Sequence, residues 1–439
     1  MKISVLLPYK EDYSPDYAGA VSLFVNDINK ESIFKNSTYI YGNTLSKKKL
    51  SANYINLDLK KKILQSTSKI YVESFLKYEK NINTDLIEIH NRPNYIKLIK
   101  SKFKKKIILY FHNDPLTMNG SKSKNERLKL LDELDKIIFV SKWVQNRFFE
   151  DLDRKLINKT EVIYPSISKE KKIPKKEKRI TFVGKLNESK GYDIYKNAVL
   201  KILDEFNDWK AYSIGDESRN RPIINHKNHK ELGFLKHKEV LKFLNKSEIA
   251  VVPSRWEEPF GRTALESASR ACATIISDRG GLPETTDHCI VLKKLNYNEL
   301  YLQLKNLIKN DKKRKLLQYQ GFKNVKHLIK DNSNLIDQIR AGIIQKFNLN
   351  FIRNKLRIIN IYNSGQKLNH RLYNISLGKK FTNGFIRNGH DVLEISDRDF
   401  VRQNRNFSLT NNSNSKFQHY LVETFKNYNP DFLFFGHTK

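Results

Sequence analysis

Glu258 and Glu266 stand eight residues apart in the run VVPSRWEEPFGRTALESA (251–268). The run reads as the end of an apolar strand, a Pro-Ser corner, then EEPFG opening into a helix. That places Glu258 in the turn and Glu266 on the helix. Gly261 between them lets the backbone approach a ligand closely. The first amides of a helix have no intrahelical partner and favour an anion. Such a site offers one carboxylate to sugar hydroxyls, helix amides to a phosphate and a second carboxylate to a ribose. A capped surface helix behind a buried strand would read the same way on this segment alone.

Other segments carry matching chemistry. FVGKLNESKG (182–191) is a strand running into a Gly turn, where Lys185 and Lys190 can lie over a diphosphate or remain a solvated pair. GFLKHKE (233–239) offers the backbone of Gly233 and Phe234 to a nucleobase edge, and DRGGLPE (278–284) offers the amides of Gly280 and Gly281 as an anion nest. An ordinary strand-loop joint and a tight turn are the plainer readings of these two. IHNRPNY (89–95) and YFHNDPL (110–116) end consecutive apolar strands and put His90 and His112 at a cleft edge. A buried structural histidine is the alternative for each.

The elements that must position these residues alternate in type. Apolar strand candidates KISVLLP, STYIYG, TDLIEIH, KKIILYFH and LDKIIFVS are interleaved with helical patterns, which predicts a parallel sheet covered on both faces. This first Rossmann-like domain spans 1–167. SKEKKIPKKEK (168–178) is a charged, Pro-broken linker, and a second doubly wound domain runs over 179–346, closed by helices from 297. The fold class is therefore α/β, two doubly wound domains facing a cleft, with ligands beyond the carboxyl ends of the strands. Residues 355–439 restart a strand–helix–strand pattern, with helix, Gly-containing turn and second strand over NHRLYNISLGKKFTNGFIRNGHDVLEIS, and read as a partial third Rossmann-like unit that either packs on the first two domains or begins a module of a longer chain.

Composition narrows the classes. With 439 residues, 39% of them hydrophobic, each domain can build a core. The net charge of +34 suits anionic substrates, an anionic membrane surface or nucleic acid, and does not choose among them. Cys272 and Cys289 give no disulfide framework, which fits a reducing compartment. No run of eighteen uncharged apolar residues is present, and the amino-terminal MKISVLLPYK reads as a first strand and not a signal peptide. The acidic pairs in DLD (151–153) and DRD (397–399) read as solvated charges, the first on a helix.

Taken in order over 1–345, FVGKLNESKG, GFLKHKEVLKFLNKSEIAVVPS, EPFGRTALE and RGGLPE resemble the retaining glycosyltransferases of family 4 (glycosyltransferase group 1), which have the GT-B fold. The resemblance implies a nucleotide-diphosphate sugar donor bound by the second domain. It implies a carbohydrate or lipid-linked acceptor bound mainly by the first. It assigns Glu258 to the donor hydroxyls, the backbone of Phe260 and Gly261 to the sugar and diphosphate, Glu266 to the ribose, and Lys190 to the diphosphate charge. His112 matches a histidine near the donor sugar. Gly19, in YAGA (17–20), matches one glycine of a loop facing the phosphate and acceptor, with Ala20 where a second is common. Lys185 stands where Arg is usual and lacks its bidentate fork. VIYPSI (162–167) replaces a more usual Pro-Asn-Gly. No metal and no cofactor is implied. The expected setting is surface polysaccharide or lipopolysaccharide synthesis in the cytoplasm, with peripheral contact at the inner, anionic face of the membrane. A basic nucleic-acid-binding protein and a catalytically silent nucleotide-sugar binder are the competing classes. Charge alone supports the first, and the complete set of Glu258, Glu266, Lys190 and His112 opposes the second.

Overall fold

The computed structural model describes the chain except residues 60–64, 218–221, 345–354, 366–375, 406–412 and 437–439. The first domain holds β1 (Ile3–Leu6), β2 (Thr38–Gly42), β3 (Tyr54–Asn56), β4 (Leu86–His90), β5 (Lys106–Phe111), β6 (Lys136–Phe139) and β7 (Thr160–Val162). They form one sheet in the order β3-β2-β1-β4-β5-β6-β7, every pairing parallel. Ile3, Val5, Ile87, Ile89, Ile107 and Leu109 are buried, so the central strands read as continuous apolar runs, as strands covered on both faces do. The covering helices are α1 (Ala20–Glu31), α2 (Thr67–Ile82), α3 (Ile96–Lys100), α4 (Lys124–Glu133) and α5 (Lys142–Phe148). Ser141 caps α5, its side chain accepting from the Val144 amide.

The second sheet repeats the plan with β8 (Glu177–Val183), β9 (Lys210–Ile214), β10 (His229–Glu231), β11 (Ser247–Val252), β12 (Ala273–Ser277) and β13 (Ile290–Leu292), ordered β10-β9-β8-β11-β12-β13. Its helices are α6 (Tyr192–Glu205), α7 (His237–Lys246), α8 (Arg262–Ser269), α9 (Tyr297–Lys309), α10 (Asp311–Lys323) and α11 (Ile329–Ile344). Edge strands β3 and β10 have three residues each and no alternation that a pattern could register. Strand β8 starts at Glu177, two residues inside the segment expected as linker.

One boundary differs from expectation. Helix α11, assigned by pattern to the second domain, packs on α1 of the first. Ser333 Oγ donates to Ile28 O at 2.8 Å, and Asp337 accepts from Ser32 Oγ and the Ile33 amide, each at 2.8 Å. Arg340 Nε and Nη2 grip both oxygens of Glu88 at 2.7 and 2.8 Å. Ser333, Asp337 and Arg340 form a polar stripe on one helix face. Their partners lie 252 to 305 residues upstream, so hydrophobic periodicity could not reveal the crossing. Residues Met1–Ile344 accordingly form one compact unit.

Residues 345–439 form a second unit. Its described strands are β14 (Arg357–Tyr362), flanked by β15 (Asp391–Ser396) and β16 (Phe432–Gly436), all parallel. Of the stretch expected as helix, turn and strand, residues 369–375 lie outside the described residues; the helix in the rest is Leu377–Arg387, capped by Ser376. Two readings of acidic residues are corrected. Asp399 is buried and accepts from Ser364 and Ser396 at 2.7 and 2.6 Å, so it is not solvated. Asp153 begins a 3-10 turn and is not within an α-helix.

Candidate active site

A cleft of about 290 Å³ opens between the carboxyl ends of the two sheets. Its second-domain wall is assembled by backbone. The amides of Arg255 and Trp256, just after β11, donate to Ser189 O at 3.0 and 2.9 Å, and Ser277 Oγ holds Ser254 O at 2.7 Å. These bonds fix the Glu258 loop against the turn after β8. Within that turn Asn187 Oδ1 accepts from the Lys190 amide at 3.2 Å. The result is direct contact: Lys190 Nζ donates to Glu258 Oε1 at 2.6 Å and lies 4.3 Å from the centroid of the Trp256 ring. Two residues that are distant in sequence thus form one ion pair on the cleft wall.

Gly261 then turns the chain into α8 with φ +92°, a conformation strained for residues with a side chain, and a Cβ there would also displace Leu282 Cδ1. Gly261, Arg262 and Thr263 line the cleft, which places the electropositive start of α8 there. Phe260 also lines it, while its ring packs on Tyr164 and His327 at 5.7 and 6.0 Å. One helical turn on, Glu266 Oε1 accepts from Arg262 Nε at 2.8 Å and lies 2.8 Å from His237 Nε2. Burial raises the Glu266 carboxyl pKa, but His237 and Arg262 outweigh it and hold the group below the ordinary carboxylate range. Arg262 Nη2 continues to Asp27 of α1 at 2.8 Å.

The first-domain wall is built differently. His112, one residue beyond β5, lines the cleft, and its amide donates to Asn91 Oδ1 at 3.1 Å. His90, the last residue of β4, lies behind it, with Nδ1 at 2.9 Å from His112 Nε2. Tyr110 stacks on His90 at 4.3 Å and donates to Glu88 Oε1 at 3.2 Å. Burial, with a smaller push from Arg340, lowers His90 from 6.5 to about 3. Burial, then the neighbouring His90, lowers His112 well below its usual value. Both rings are therefore neutral at ordinary pH, one donating to the other.

Other expected site residues fall elsewhere. The amides of Gly280 and Gly281 are already engaged, donating to Glu257 Oε2 and Glu258 O at 2.6 Å each, so they form no anion nest. A Cβ on Gly280 would meet Glu258 O at 2.2 Å, so this glycine serves the close passage of two backbone strands. His90 does not reach the cleft. Gly19 faces the Glu11 carboxylate, which accepts from the Ser22 amide at 2.9 Å; Ala20, not Gly19, lines the cleft. Lys185 is exposed beside Gly184, which does line it. Gly233 accepts from the Gly215 amide at 2.8 Å, and Phe234 stacks on Tyr17 at 5.8 Å; neither lines the cleft. Among the lining residues that escaped the sequence reading, two stand out. Trp256 is two residues before Glu258 and 46% exposed, and Arg262 directly follows Gly261. An exposed tryptophan after a buried strand was the available signal for the first.

The domains also meet through Glu284, the carboxylate of RGGLPE. It accepts from the amides of Lys142 and Trp143 at the start of α5, both at 2.8 Å, and from Tyr164 Oη at 2.9 Å. Ser141 Oγ donates to Pro259 O at 2.5 Å alongside.

Comparison with known proteins bears on the fold and the family. Residues 164–324 match the family model of glycosyl transferases group 1. The chain is 32% identical over 234 residues to glycosyltransferase MJ1178 of Methanocaldococcus jannaschii, covering 51% of this chain and 64% of that one. It is 22% identical over 325 residues to spore coat protein SA of Bacillus subtilis, covering 65% and 83%. Among solved structures, sucrose-phosphate synthase of Thermosynechococcus elongatus aligns with TM-score 0.62 at 14% identity, covering 79% of this chain and all of that one. HepE of Anabaena, solved with UDP and glucose, aligns with TM-score 0.61 at 13% identity over 78% and 100%. WaaG, a glycosyltransferase involved in lipopolysaccharide biosynthesis, aligns with TM-score 0.58 at 12% identity over 77% and 100%. The chain has the GT-B fold, and the stretch similar to glycosyl transferases group 1 covers most of its second domain.

Proposed function

We propose that the chain is a retaining glycosyltransferase that moves a sugar from a nucleotide-diphosphate donor to an acceptor hydroxyl, in the synthesis of a surface polysaccharide or lipopolysaccharide. The observation that carries this reading is the Lys190–Glu258 pair beside the start of α8 on one cleft wall. A donor brings an anionic diphosphate for Lys190 and sugar hydroxyls for Glu258. One internal ion pair is exchanged for two contacts to substrate. Lys190 and the first amides of α8 offset the charge that grows on the leaving diphosphate, and no metal ion is needed for that task. His112, held neutral, faces the transferred sugar as a hydrogen-bonding group and not as a charge. Acceptor attack occurs on the face from which the diphosphate departs, and the diphosphate takes the acceptor proton. Glu258 orients the sugar and is not a nucleophile. Closure of the two domains excludes water and limits donor hydrolysis.

HepE has been solved with UDP and glucose, which supports a nucleotide sugar as the ligand class. Among the described residues no helix is long and apolar enough to cross a membrane. With the net charge of +34 this supports action in the cytoplasm, at the inner face of the membrane where a lipid-linked acceptor would lie. The test is a screen of UDP-, GDP- and ADP-sugars, with transfer and hydrolysis read as released nucleotide. One sugar nucleotide turned over by the parent, and about tenfold or more slower by Glu258→Gln, supports the reading. Nucleotide binding with no turnover of any donor, across a range of acceptors, favours a silent binder.

A further inference from the structure

We propose that Arg262 is a positioning residue that couples nucleotide occupancy of the cleft to the approach of the two domains, through the relay Asp27–Arg262–Glu266. The proposal rests on the donor-site reading above, in which Glu266 meets the ribose.

One guanidinium serves two carboxylates from two domains. Arg262 Nε donates to Glu266 on its own helix α8, and Nη2 donates to Asp27 on α1, both at 2.8 Å. All three groups are buried, with Arg262 11% exposed and the carboxylate side chains 9% and 6%. The third nitrogen, Nη1, is buried and has no hydrogen-bond partner within the protein. A buried cation with an unmet donor is costly. A polar ligand atom entering the cleft that Arg262 lines, or water, would satisfy it. The relay is extended by His237 of α7, which also reaches Glu266 Oε1.

The two ends of the relay belong to different domains. Glu266 lies on α8 of the donor domain, and Asp27 lies on α1, two helical turns beyond Ala20. Neither carboxylate lines the cleft; Arg262, which joins them, does. Ribose hydroxyls taken up by Glu266 compete with Arg262 for that carboxylate, which strengthens the hold of Arg262 on Asp27 and draws α1 toward α8. If the Asp27 charge is removed, Arg262 keeps a single carboxylate, the one that the nucleotide must use. Asp27 should therefore change nucleotide affinity without touching nucleotide. A merely structural ion pair would change stability and leave affinity alone.

The experiment uses the full chain. Kd values for UDP, GDP and ADP are measured by calorimetry on the parent, Asp27→Asn, Asp27→Glu and Arg262→Lys, with hydrogen exchange of α1 and α8 followed with and without nucleotide. For the nucleotide that binds the parent, Asp27→Asn is expected to weaken affinity about tenfold, within the usual range of coupling between sites. Asp27→Glu, which keeps a carboxylate, should recover most of it. Nucleotide should slow exchange in both helices of the parent and only in α8 of Asp27→Asn. Parent affinity in Asp27→Asn with α1 still protected would overturn the coupling and leave the donor site standing. Failure of all three nucleotides to bind the parent would overturn both. Should Asp27→Asn not fold, Arg262→Lys, which keeps the charge and loses the fork, carries the same expectation on α1.

Discussion

The two walls of the cleft solve opposite problems. The second-domain wall holds charges at the surface of the cleft as ion pairs, Lys190 with Glu258, and Arg262 with the buried Glu266 just behind the lining. The first-domain wall presents the neutral His112, backed by His90, and keeps its charges one layer deeper in the Glu88–Arg340–Asp337 cluster. An ion pair that can open is suited to a charged, exchangeable ligand such as a sugar diphosphate. A neutral ring held by buried partners is suited to fixed orientation. The contrast teaches that one wall is made for binding charge and the other for presenting geometry.

The largest effect should come from breaking the deep layer. Arg340→Met leaves Glu88 and Asp337 buried without their cation, and such a loss costs about 3–5 kcal/mol. Thermal or chemical unfolding should show it, and if the contrast holds, the loss will appear in stability ahead of nucleotide affinity. A variant as stable as the parent would mean that the cluster is not structural. Next in size is Glu258→Gln. Loss of a charged hydrogen bond to substrate is worth about 1.5–3 kcal/mol, or about tenfold to a hundredfold in kcat/KM. The same change frees Lys190 from its partner, so affinity for nucleoside diphosphate should hold or rise while transfer falls. Equal losses of binding and transfer would contradict the exchange of contacts at this pair.

How much of this was legible in sequence follows the same division. The second-domain wall is nearly contiguous: EPFGRTALE carries the turn, the helix start and both glutamates, and FVGKLNESKG supplies Lys190. Local pattern was enough to nominate them. It was not enough to show that Lys190 and Glu258 touch, or that Glu266 is shared with Arg262 and His237, because those contacts come from different strand ends. The first-domain wall was hardest to read. His90 and His112 each end an apolar strand, and only the family resemblance sets His112 ahead; parallel pairing of β4 and β5 puts His90 beside Tyr110, with His112 two residues further along and its Nε2 2.9 Å from His90 Nδ1. The support for that layer arrives on α11, 252 residues after Glu88. Gly280 and Gly281 show the converse error. A glycine pair reads as an anion nest until the backbone crossing it at Glu258 and Pro259 is known.

The histidine pair gives a pH signature specific to the neutral wall. His90 is lowered from 6.5 to about 3 in the folded chain, and His112 moves in the same direction. Between those values the unfolded chain binds protons that the folded one does not. Stability is therefore complete above pH 6.5 and is lost as pH falls toward about 3. The slope for each such proton is about 1.4 kcal/mol per pH unit. His90→Asn removes one titrating group, so its melting temperature should fall less steeply below pH 6.5. An unchanged slope would show that His90 is not part of the acid response. On the charged wall, Lys190→Ala should weaken nucleoside diphosphate binding about tenfold, the loss of one charged contact. Calorimetry giving equal affinity would remove Lys190 from the donor site.

The smallest expected effect tests where the working unit ends. Residues 345–439 form a compact unit of their own, and every group assigned above to donor binding lies before residue 285. Helix α11 must be retained, because Ser333, Asp337 and Arg340 complete the packing behind the neutral wall. A chain ending at Ile344 should therefore fold and bind nucleoside diphosphate with the affinity of the full chain. A chain ending at Asn324 removes the same tail plus α11 and exposes Glu88 without Arg340, so it should lose cooperative unfolding. If the longer truncation product folds but no longer binds nucleotide, residues beyond Ile344 belong to the donor site. In that case the division between a charged wall and a neutral wall is missing a third contributor.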